Sequence, residues 1–265
     1  MADAWWTDRV AKQRLVLRLG LVALLLGVWQ SLSALGLWSE LLFPSPRQVA
    51  DALWRGIVDR TLLVATAASL KRLAVGYGLS LTIGVPLGLL LGRIRWLDDT
   101  VGILALGLQA LPSICWLPLA VLWFGLSEMA TQFVVVMGSL MAVTLATRDG
   151  VNVIPPIFVR AGRVLGAHGW KIYSQVIFPA AMPAILTGAK LGWSFAWRSL
   201  MAAELLYSSV GLGSTLTVGR ELHDMALVVA AMGIIMVLGL MTDRILFGML
   251  ERSLYQRWGT SRQRA

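Results

Sequence analysis

Long runs without a charged residue recur along the chain, and they restrict its fold more than any other feature. Residues 73–92 form one such run, and residues 100–127 and 129–147 form two more with Glu128 alone between them. A helix of about 20 apolar residues spans the core of a bilayer. A soluble domain can bury one such helix but not several, so the runs predict an integral membrane protein. Only 14% of the residues are charged, against about 25% in soluble domains.

The runs predict helices, because strands of membrane barrels alternate in polarity over about ten residues and these runs do not. Basic residues precede the first run, as in a signal peptide. No good small-residue cleavage site follows it, so we expect an uncleaved first span. The expected fold is an all-α membrane protein forming a single domain over residues 1–265. Its six spans are expected near residues 16–37, 62–92, 100–124, 129–147, 183–206 and 225–247.

The lysines and arginines fall mostly on one side of the membrane in this topology. Cytoplasmic loops carry an excess of these residues, so we expect both termini in the cytoplasm. The inner side holds Arg9, Lys12, Arg14, Arg18, Arg93, Arg95, Arg148, Arg160, Arg163, Lys171, Arg244, Arg252, Arg257, Arg262 and Arg264. The outer side holds Arg47, Arg55, Arg60 and Arg220.

The sequence contains no catalytic or metal-binding constellation. It has no phosphate-binding glycine loop followed by Lys-Ser or Lys-Thr, so the chain cannot hydrolyse a nucleotide by itself. The single cysteine, Cys115, excludes a disulfide within the chain. Two histidines, His168 and His223, are too few for a multi-haem cytochrome. The net charge of +9 fits cytoplasmic loops better than nucleic-acid binding.

Glycines and prolines mark positions where the spans pack closely or bend. Gly84, Gly88 and Gly92 share one face of the second span and predict close approach of a neighbouring helix. Pro112 and Pro118 each remove a backbone donor, so both are expected to bend the third span. Bent helices are tolerated at membrane depth where a cavity or a neighbour satisfies the freed carbonyls. The bends therefore point weakly to a transport pathway.

Two features lie on or near the outer side. Val49, Leu53, Ile57 and Val58 recur at helical spacing and predict a short amphipathic helix on the outer surface. We favour a covering element without a specific role over a functional one. Lys71 and Arg72 fall inside the second span, where charges are costly. We expect the start of this span to be tilted or interfacial, so that both cations reach the outer headgroups.

The longest polar interruption, residues 155–179, lies on the predicted inner side. Two prolines end the preceding element, and a short helix is expected over residues 157–165. Gly166 accepts backbone angles that other residues avoid, and it predicts a sharp break. A second short helix is expected over residues 170–178, ended by Pro179, before a further proline opens the fifth span. Such an elbow, held outside the membrane, is suited to inserting into a groove on another protein.

The elbow resembles the coupling motif of ABC importer permeases. That motif reads Glu-Ala-Ala, three residues, Gly, nine residues, Ile, one residue, Leu-Pro. The matching residues here are Arg160, Ala161, Gly162, Gly166, Val176, Phe178 and Pro179. Arg160 replaces the Glu and Gly162 replaces the second Ala, which puts a particular salt bridge to the ATPase in doubt but not the elbow. Nearly the whole chain is similar to the nitrate, sulfonate, taurine and bicarbonate branch of these permeases, for example in "LFPSPRQVADALW" and "WLPLAVLWFGLSE".

The resemblance implies a type I ABC importer permease fold in the cell inner membrane. It implies a homodimer that docks two ATP-binding subunits inside and one solute-binding protein outside. The permease itself would bind no cofactor, since ATP and Mg²⁺ lie on the partner, and it would contact lipid but no nucleic acid. The residues implied in coupling to the ATPase are Arg160, Ala161, Gly162, Gly166, Ala167, Trp170 and Pro179.

The fifth span carries charges that need an explanation. Lys190, Trp197 and Glu204 recur once per heptad and share one face, while Arg198 points about 100° away from Trp197. A charge at mid-membrane costs at least about 2.5 kcal/mol and usually faces a cavity or a partner. Arg198 is expected to favour an anion, and a structural ion pair with another span or subunit is the alternative. The expected translocation path is lined by Gln109, Trp197, Arg198 and Glu204.

Two other functions stay open at this point. An ion-gradient-driven secondary transporter would need internal ion sites and often shows inverted repeats, and no repeat is visible. A structural subunit of a membrane complex would not need the spacing from Gly166 to Pro179. An ATP-driven importer of a small anionic solute accounts for both the elbow and the charged span.

Overall fold

The computed structural model describes residues 2–36, 38–39, 41–206 and 210–258. All regular secondary structure in these ranges is helical, which confirms the all-α prediction. The helices, counted through short π and 3-10 segments where they are continuous, are α1 (Ala2–Ala34), α2 (Pro46–Val58), α3 (Thr61–Leu91), α4 (Arg95–Ala110), α5 (Ser113–Phe124), α6 (Glu128–Asn152), α7 (Pro156–Val164), α8 (Trp170–Leu206), α9 (Leu212–Glu221) and α10 (225–258).

Four helices in the described ranges, α3, α6, α8 and α10, are long and apolar enough to cross a bilayer. The bent pair α4 and α5 adds a fifth crossing when it is counted as one span. The apolar segment Leu19–Ala34 of α1 is shorter and overlaps the first predicted span. The last residue of that predicted span, Leu37, and the predicted inner cations Arg262 and Arg264 lie outside the described residues.

One compact unit consists of Met1–Leu63 and Thr215–Gly233. Within it, Trp29 donates a 3.0 Å hydrogen bond from its indole nitrogen to the carbonyl of Pro44. Helix α2 begins with a capping box, in which the side chains of Ser45 and Gln48 each accept a hydrogen bond from the other's backbone nitrogen. The predicted surface helix is therefore present.

The buried face of α2 differs from the predicted one. It is centred on Ala52 and Gly56, whereas Ile57 is exposed. The side chain of Leu62 lies so close to Gly56 that a Cβ there would come within 2.5 Å of its Cγ. Small residues define the buried face because they alone permit this approach.

The second unit consists of Val64–Ser214 and Ile234–Ala265. Its centre is the pair α6 and α8, which pack through small residues on both helices. A Cβ on Gly188 would meet the Cβ of Ala146, and a Cβ on Gly192 would come 2.6 Å from Val143. Close approach through small residues is the usual way in which membrane helices associate, since lipid gives them no hydrophobic drive to pair.

The glycine stripe on α3 contacts α6, as its spacing predicts. A Cβ on Gly84 would lie 3.2 Å from the carbonyl oxygen of Leu140, and one on Gly92 would lie 2.6 Å from Val151. At Gly88 the closest atom is the backbone carbonyl of Thr144. The neighbouring helix leaves no room for a side chain at these three positions, which accounts for the glycines.

We expect Gly88→Ala to destabilise the protein by about 1–3 kcal/mol, the usual cost of overpacking. The added methyl would overlap the Thr144 carbonyl, which the helix backbone holds in place. Gly78→Ala is the matched control, because no heavy atom lies within 4 Å of its added Cβ. Denaturant titration of both variants in detergent micelles measures the difference in the free energy of unfolding. Equal stability of the two variants would contradict the packing described.

Helix α8 corrects the prediction of a separate second elbow helix. Helical structure continues from Trp170 to Leu206 through a π-helical turn over Tyr173–Ile177, and both Pro179 and Pro183 lie inside it. Proline removes one backbone donor and bends a helix, but it does not always end one. Since π turns often occur where a helix accommodates a local irregularity, the turn just before Pro179 is in keeping with a continuous helix.

Candidate functional site

Helices α4 and α5 meet at an angle of 102°, which breaks the third predicted span at mid-length. Leu111 (ψ 125°) and Pro112 (ψ 136°) are extended at the break. Proline lacks an N–H and disfavours helical angles in the residue before it, so Pro112 accounts for the break. Pro118, the other proline expected to bend the span, lies in the first turn of the α-helical segment Leu117–Phe124, directly after the 3-10 turn Ser113–Trp116.

A cavity of about 260 Å³ opens beside this break. The predicted path residues Gln109 and Arg198 both line it, so the structure brings these two together across α4 and α8. The other lining residues are Leu108, Ala110, Leu111, Pro112, Ser113, Met137, Gly138, Met141 and Phe195. The wall is mostly apolar, with one cation and a few polar groups.

The Arg198 guanidinium is held by its own helix. Its Nε donates to the carbonyl of Ser194 at 3.1 Å, and its Cζ lies 4.7 Å from the centre of the Phe195 ring. Among the described residues, no carboxylate lies within ion-pair distance of Arg198. The terminal nitrogens are therefore available to an anion, because guanidinium presents several N–H donors in a planar fork.

Trp197 and Glu204 do not line this cavity. Trp197 packs at the edge of an apolar cluster that includes Leu73 and Leu200. Glu204 is only 1% exposed and forms an ion pair with Arg72. The placement of Glu204 on the path is thus corrected, and the alternative of a structural ion pair with another span holds for it. Lys190 likewise pairs with Asp243, at 3.0 Å.

The pairing of Arg72 was missed from the sequence. This residue was expected to reach the outer headgroups, but it is 8% exposed and contacts two acids. Its guanidinium lies 2.5 Å from Glu128 and 2.8 Å from Glu204, and it also donates to the carbonyl of Val210 at 2.7 Å. Opposite charges in separate apolar spans were the available signal, since a buried charge needs a partner.

The carboxylate of Glu204 also accepts hydrogen bonds from two donors besides Arg72. It accepts 2.8 Å hydrogen bonds from the Ser69 hydroxyl and from the backbone N–H of Gly213. Ser69 in turn accepts from the N–H of Leu212. We call this set, Ser69, Arg72, Glu128, Glu204 and the 210–213 backbone, the ion-pair network. It joins α3, α6, α8 and the start of α9 in one hydrogen-bonded group.

The polar elbow is built on a glycine-terminated helix. Helix α7 ends at Val164, and Gly166 has a φ of +86°, where the predicted break falls. The N–H of Gly166 donates to the carbonyl of Arg163, and the N–H of Ala167 to that of Gly162. This is the Schellman arrangement, in which a left-handed residue closes the last turn of a helix.

Buried residues of the elbow fix it to the body of its unit. Val159, Ala167 and Ile172 belong to one apolar cluster that reaches Ile185 of α8. A Cβ on Gly162 would lie 2.8 Å from Val176, so the two arms of the elbow touch at this point. This close contact is a reason for glycine at position 162.

The face of the elbow that is turned away from its buried cluster is apolar and exposed. Val164, Leu165 and Trp170 are 87%, 86% and 79% exposed. Arg160 and Ala161 are also exposed, whereas Pro179 is half-buried within α8. Of the residues assigned to coupling, Arg160, Ala161, Gly166 and Trp170 thus lie at the surface, and Gly162 and Ala167 hold the turn together. Exposed apolar residues in such a cluster mark a protein-binding surface.

Comparison with known proteins agrees with this geometry. Residues 84–255 match the family described as binding-protein-dependent transport system inner membrane component. The taurine transport system permease protein of Escherichia coli is 31% identical over 246 residues, with 90% of this chain and 88% of the relative covered. The nitrate import permease protein of Synechocystis is 29% identical over 234 residues, with 85% and 84% covered.

A solved structure supports the fold. A crystal structure of an amino acid ABC transporter with histidines superposes with a TM-score of 0.59 at 19% identity, covering 76% of this chain and 97% of that chain. The chain therefore belongs to the family of binding-protein-dependent inner-membrane transport components: it is the multi-pass permease subunit of an ABC importer, a transport protein that works with ATP-binding and solute-binding partners.

Proposed function

We propose that this permease carries a small anionic solute of the sulfonate, taurine, nitrate and bicarbonate class. The observation that carries the proposal is the Arg198 guanidinium, which lines the cavity at the α4–α5 break without an acidic partner among the described residues. A cation kept inside an apolar span is costly unless it serves a pathway or a partner. The names of the taurine and nitrate relatives are in keeping with an anion.

The dimensions of the cavity suit such a solute. Its volume of about 260 Å³ accommodates a small molecule. Gln109 adds an amide that can donate to an oxyanion beside Arg198. The break at Pro112 leaves helix-end backbone groups near the same cavity, and irregular backbone at membrane depth is tolerated where it lines a cavity.

The assembly that we propose is a homodimer of permease chains, each one a single domain over residues 1–265. Two ATP-binding subunits would dock inside, where both termini would also lie, and one solute-binding protein would dock outside. The permease would hold no cofactor of its own, and ATP with Mg²⁺ would act on the partner. ATP binding would close the two partner subunits and move the elbow around Gly166 as a lever. Hydrolysis would restore the inward-facing state.

Support for the elbow as the coupling element comes from its construction. The Schellman turn and the buried Val159 and Ala167 tie it to α8, so a push on the exposed face moves the helix behind it. The coupling residues proposed are Arg160, Ala161, Gly162, Gly166, Ala167, Trp170 and Pro179.

We expect Arg198→Ala to slow solute uptake at least about tenfold, because a lost charge-assisted hydrogen bond to a bound anion costs about 1.5–3 kcal/mol. A ligand screen on the solute-binding protein, beginning with nitrate, sulfonates, taurine and bicarbonate, supplies the solute. Uptake into proteoliposomes that contain the whole transporter then measures the rate. Arg198→Lys should recover part of it.

Lys190→Ala is the matched control for this test. It removes a cation from the same helix, but from a partly exposed pair with Asp243 outside the cavity. Normal uptake by Arg198→Ala at equal protein level would refute the proposed path. Equal loss in Lys190→Ala and Arg198→Ala would point to a general effect on α8 instead.

A further inference from the structure

A second cavity contains four arginines. It has a volume of about 500 Å³ and lies between the turn after α3, the start of α4, the end of α6 and helix α7. Arg93 and Arg95 line it from the α3–α4 turn, and Arg160 and Arg163 line it from α7. Its other lining residues are Leu91, Gly92, Asp98, Val151, Asn152, Ile154, Pro156, Val159 and Ile177.

Among the described residues, one carboxylate lines this wall, and it is already engaged. Asp98 accepts from Arg148 at 3.2 Å, and Arg148 is itself shared with Asp149 at 2.8 Å. None of the four arginines lies within ion-pair distance of an acid among the described residues. Four like charges around one cavity repel one another, and an anion bound between them would offset this repulsion.

The cavity lies at the end of the membrane-spanning helices. Its residues follow the last apolar residue of α3, Leu91, and include the last turn of α6. Trp96, which follows the lining residue Arg95 in the sequence, is 68% exposed. Exposed tryptophans and arginines at a span end are typical of the depth of the lipid headgroups.

An apolar groove lies next to it. The groove has a volume of about 570 Å³. It is lined by Val85, Pro86, Leu89 and Leu90 of α3 and by Trp170, Tyr173, Ser174 and Phe178 of α8. The next residue of α3, Leu91, lines the arginine cavity. Neighbouring positions on one helix thus offer a surface for an acyl chain and a site for an anion.

We propose that the four-arginine cavity binds the phosphodiester headgroup of an anionic phospholipid, such as phosphatidylglycerol. Arginine recognises phosphate through paired N–H donors, and basic pockets between spans at the cytoplasmic surface bind such headgroups. The lipid would contact the α3–α4 turn and the elbow helix α7 at once. It would neutralise Arg160 and Arg163 and hold the elbow against the ends of the spans.

The test uses the permease purified with its ATP-binding subunit, in nanodiscs of phosphatidylcholine alone or of equal parts phosphatidylcholine and phosphatidylglycerol. Native mass spectrometry after release into detergent counts the retained phospholipid. We expect phosphatidylglycerol, and not phosphatidylcholine, to stay bound to each permease chain. Arg93→Gln with Arg163→Gln should weaken retention about fivefold for each arginine removed, since each contributes about 1 kcal/mol near an anionic headgroup.

The control variant is Arg47→Gln with Arg220→Gln, which removes two exposed arginines outside the cavity and should retain phosphatidylglycerol normally. Equal retention of the two lipids, or equal retention by the two double variants, would overturn the proposal. Displacement of the lipid by millimolar inorganic phosphate would also overturn it, in favour of a free anion. Loss of the ATP-binding subunit from the cavity variant in phosphatidylcholine alone would show that the partner's own acid fills the cavity.

Discussion

Replacing Glu204 with alanine is expected to leave little folded permease after detergent extraction. The change leaves Arg72 buried at 8% exposure with half of its acidic partners gone, and it removes the acceptor of the Ser69 hydroxyl and the Gly213 N–H. Breaking a buried ion pair by removing one partner costs about 3–5 kcal/mol. That loss is comparable to a large part of the stability of an ordinary domain.

Lys190→Ala is the comparison for Glu204→Ala. It breaks a pair of similar length, 3.0 Å to Asp243, but in this pair the carboxylate side chain is 51% exposed. Exposed pairs contribute about 0–1 kcal/mol. Fluorescence-detected size exclusion across a temperature series measures both variants at equal expression. If the melting temperatures of Glu204→Ala and Lys190→Ala differed by only a few degrees, the structural role of the ion-pair network would be contradicted.

Leu165→Asp and Trp170→Ala are each expected to separate the permease from its ATP-binding subunit. Both residues are exposed on the apolar face of the elbow, where the Trp170 ring also stacks on Tyr173. Buried aromatic and aliphatic anchors at an interface often contribute 2 kcal/mol or more each, equivalent to about thirtyfold in affinity. The permease should still fold, because neither side chain belongs to the buried cluster behind the elbow.

Co-purification with a tagged ATP-binding subunit measures this effect. Leu222→Asp is the matched control, because Leu222 is 70% exposed and does not belong to the elbow. Solute-stimulated ATPase activity provides a second readout, and it should fall with the bound fraction. Full co-purification of both elbow variants would mean that the ATP-binding subunit docks elsewhere on the permease.

The features predicted from sequence are those that depend on local chemistry. Gly84, Gly88 and Gly92 predict a close helix contact because three glycines on one face leave room for a neighbouring helix, whichever helix that is. Pro112 breaks its helix and Gly166 turns the elbow because the allowed backbone angles of these residues are local properties. None of these three inferences required knowledge of the element that packs against the residue.

The features that sequence did not predict depend on contacts between distant elements. Arg72 and Glu204 are 132 residues apart in the sequence, so either could have faced lipid, a cavity or a partner until α3 and α8 were placed together. Pro179 was predicted to end a helix, but helical structure continues through it from Trp170 to Leu206. Which charge lines the cavity and which is neutralised is decided by packing alone.

Helix α8 gives the transporter a single shaft. It begins at Trp170 on the elbow, carries Arg198 into the cavity and ends beyond Glu204 in the ion-pair network. Torque applied at the elbow therefore reaches the cavity and the network through one element. A rotation of about 20° would sweep a side chain at its surface through roughly 2 Å, given a helix diameter of about 10–12 Å. Such a rotation would displace Arg198 relative to Gln109 and would change the Arg72–Glu204 contact at the same time. Release of the solute and rearrangement of the ion-pair network would therefore be simultaneous.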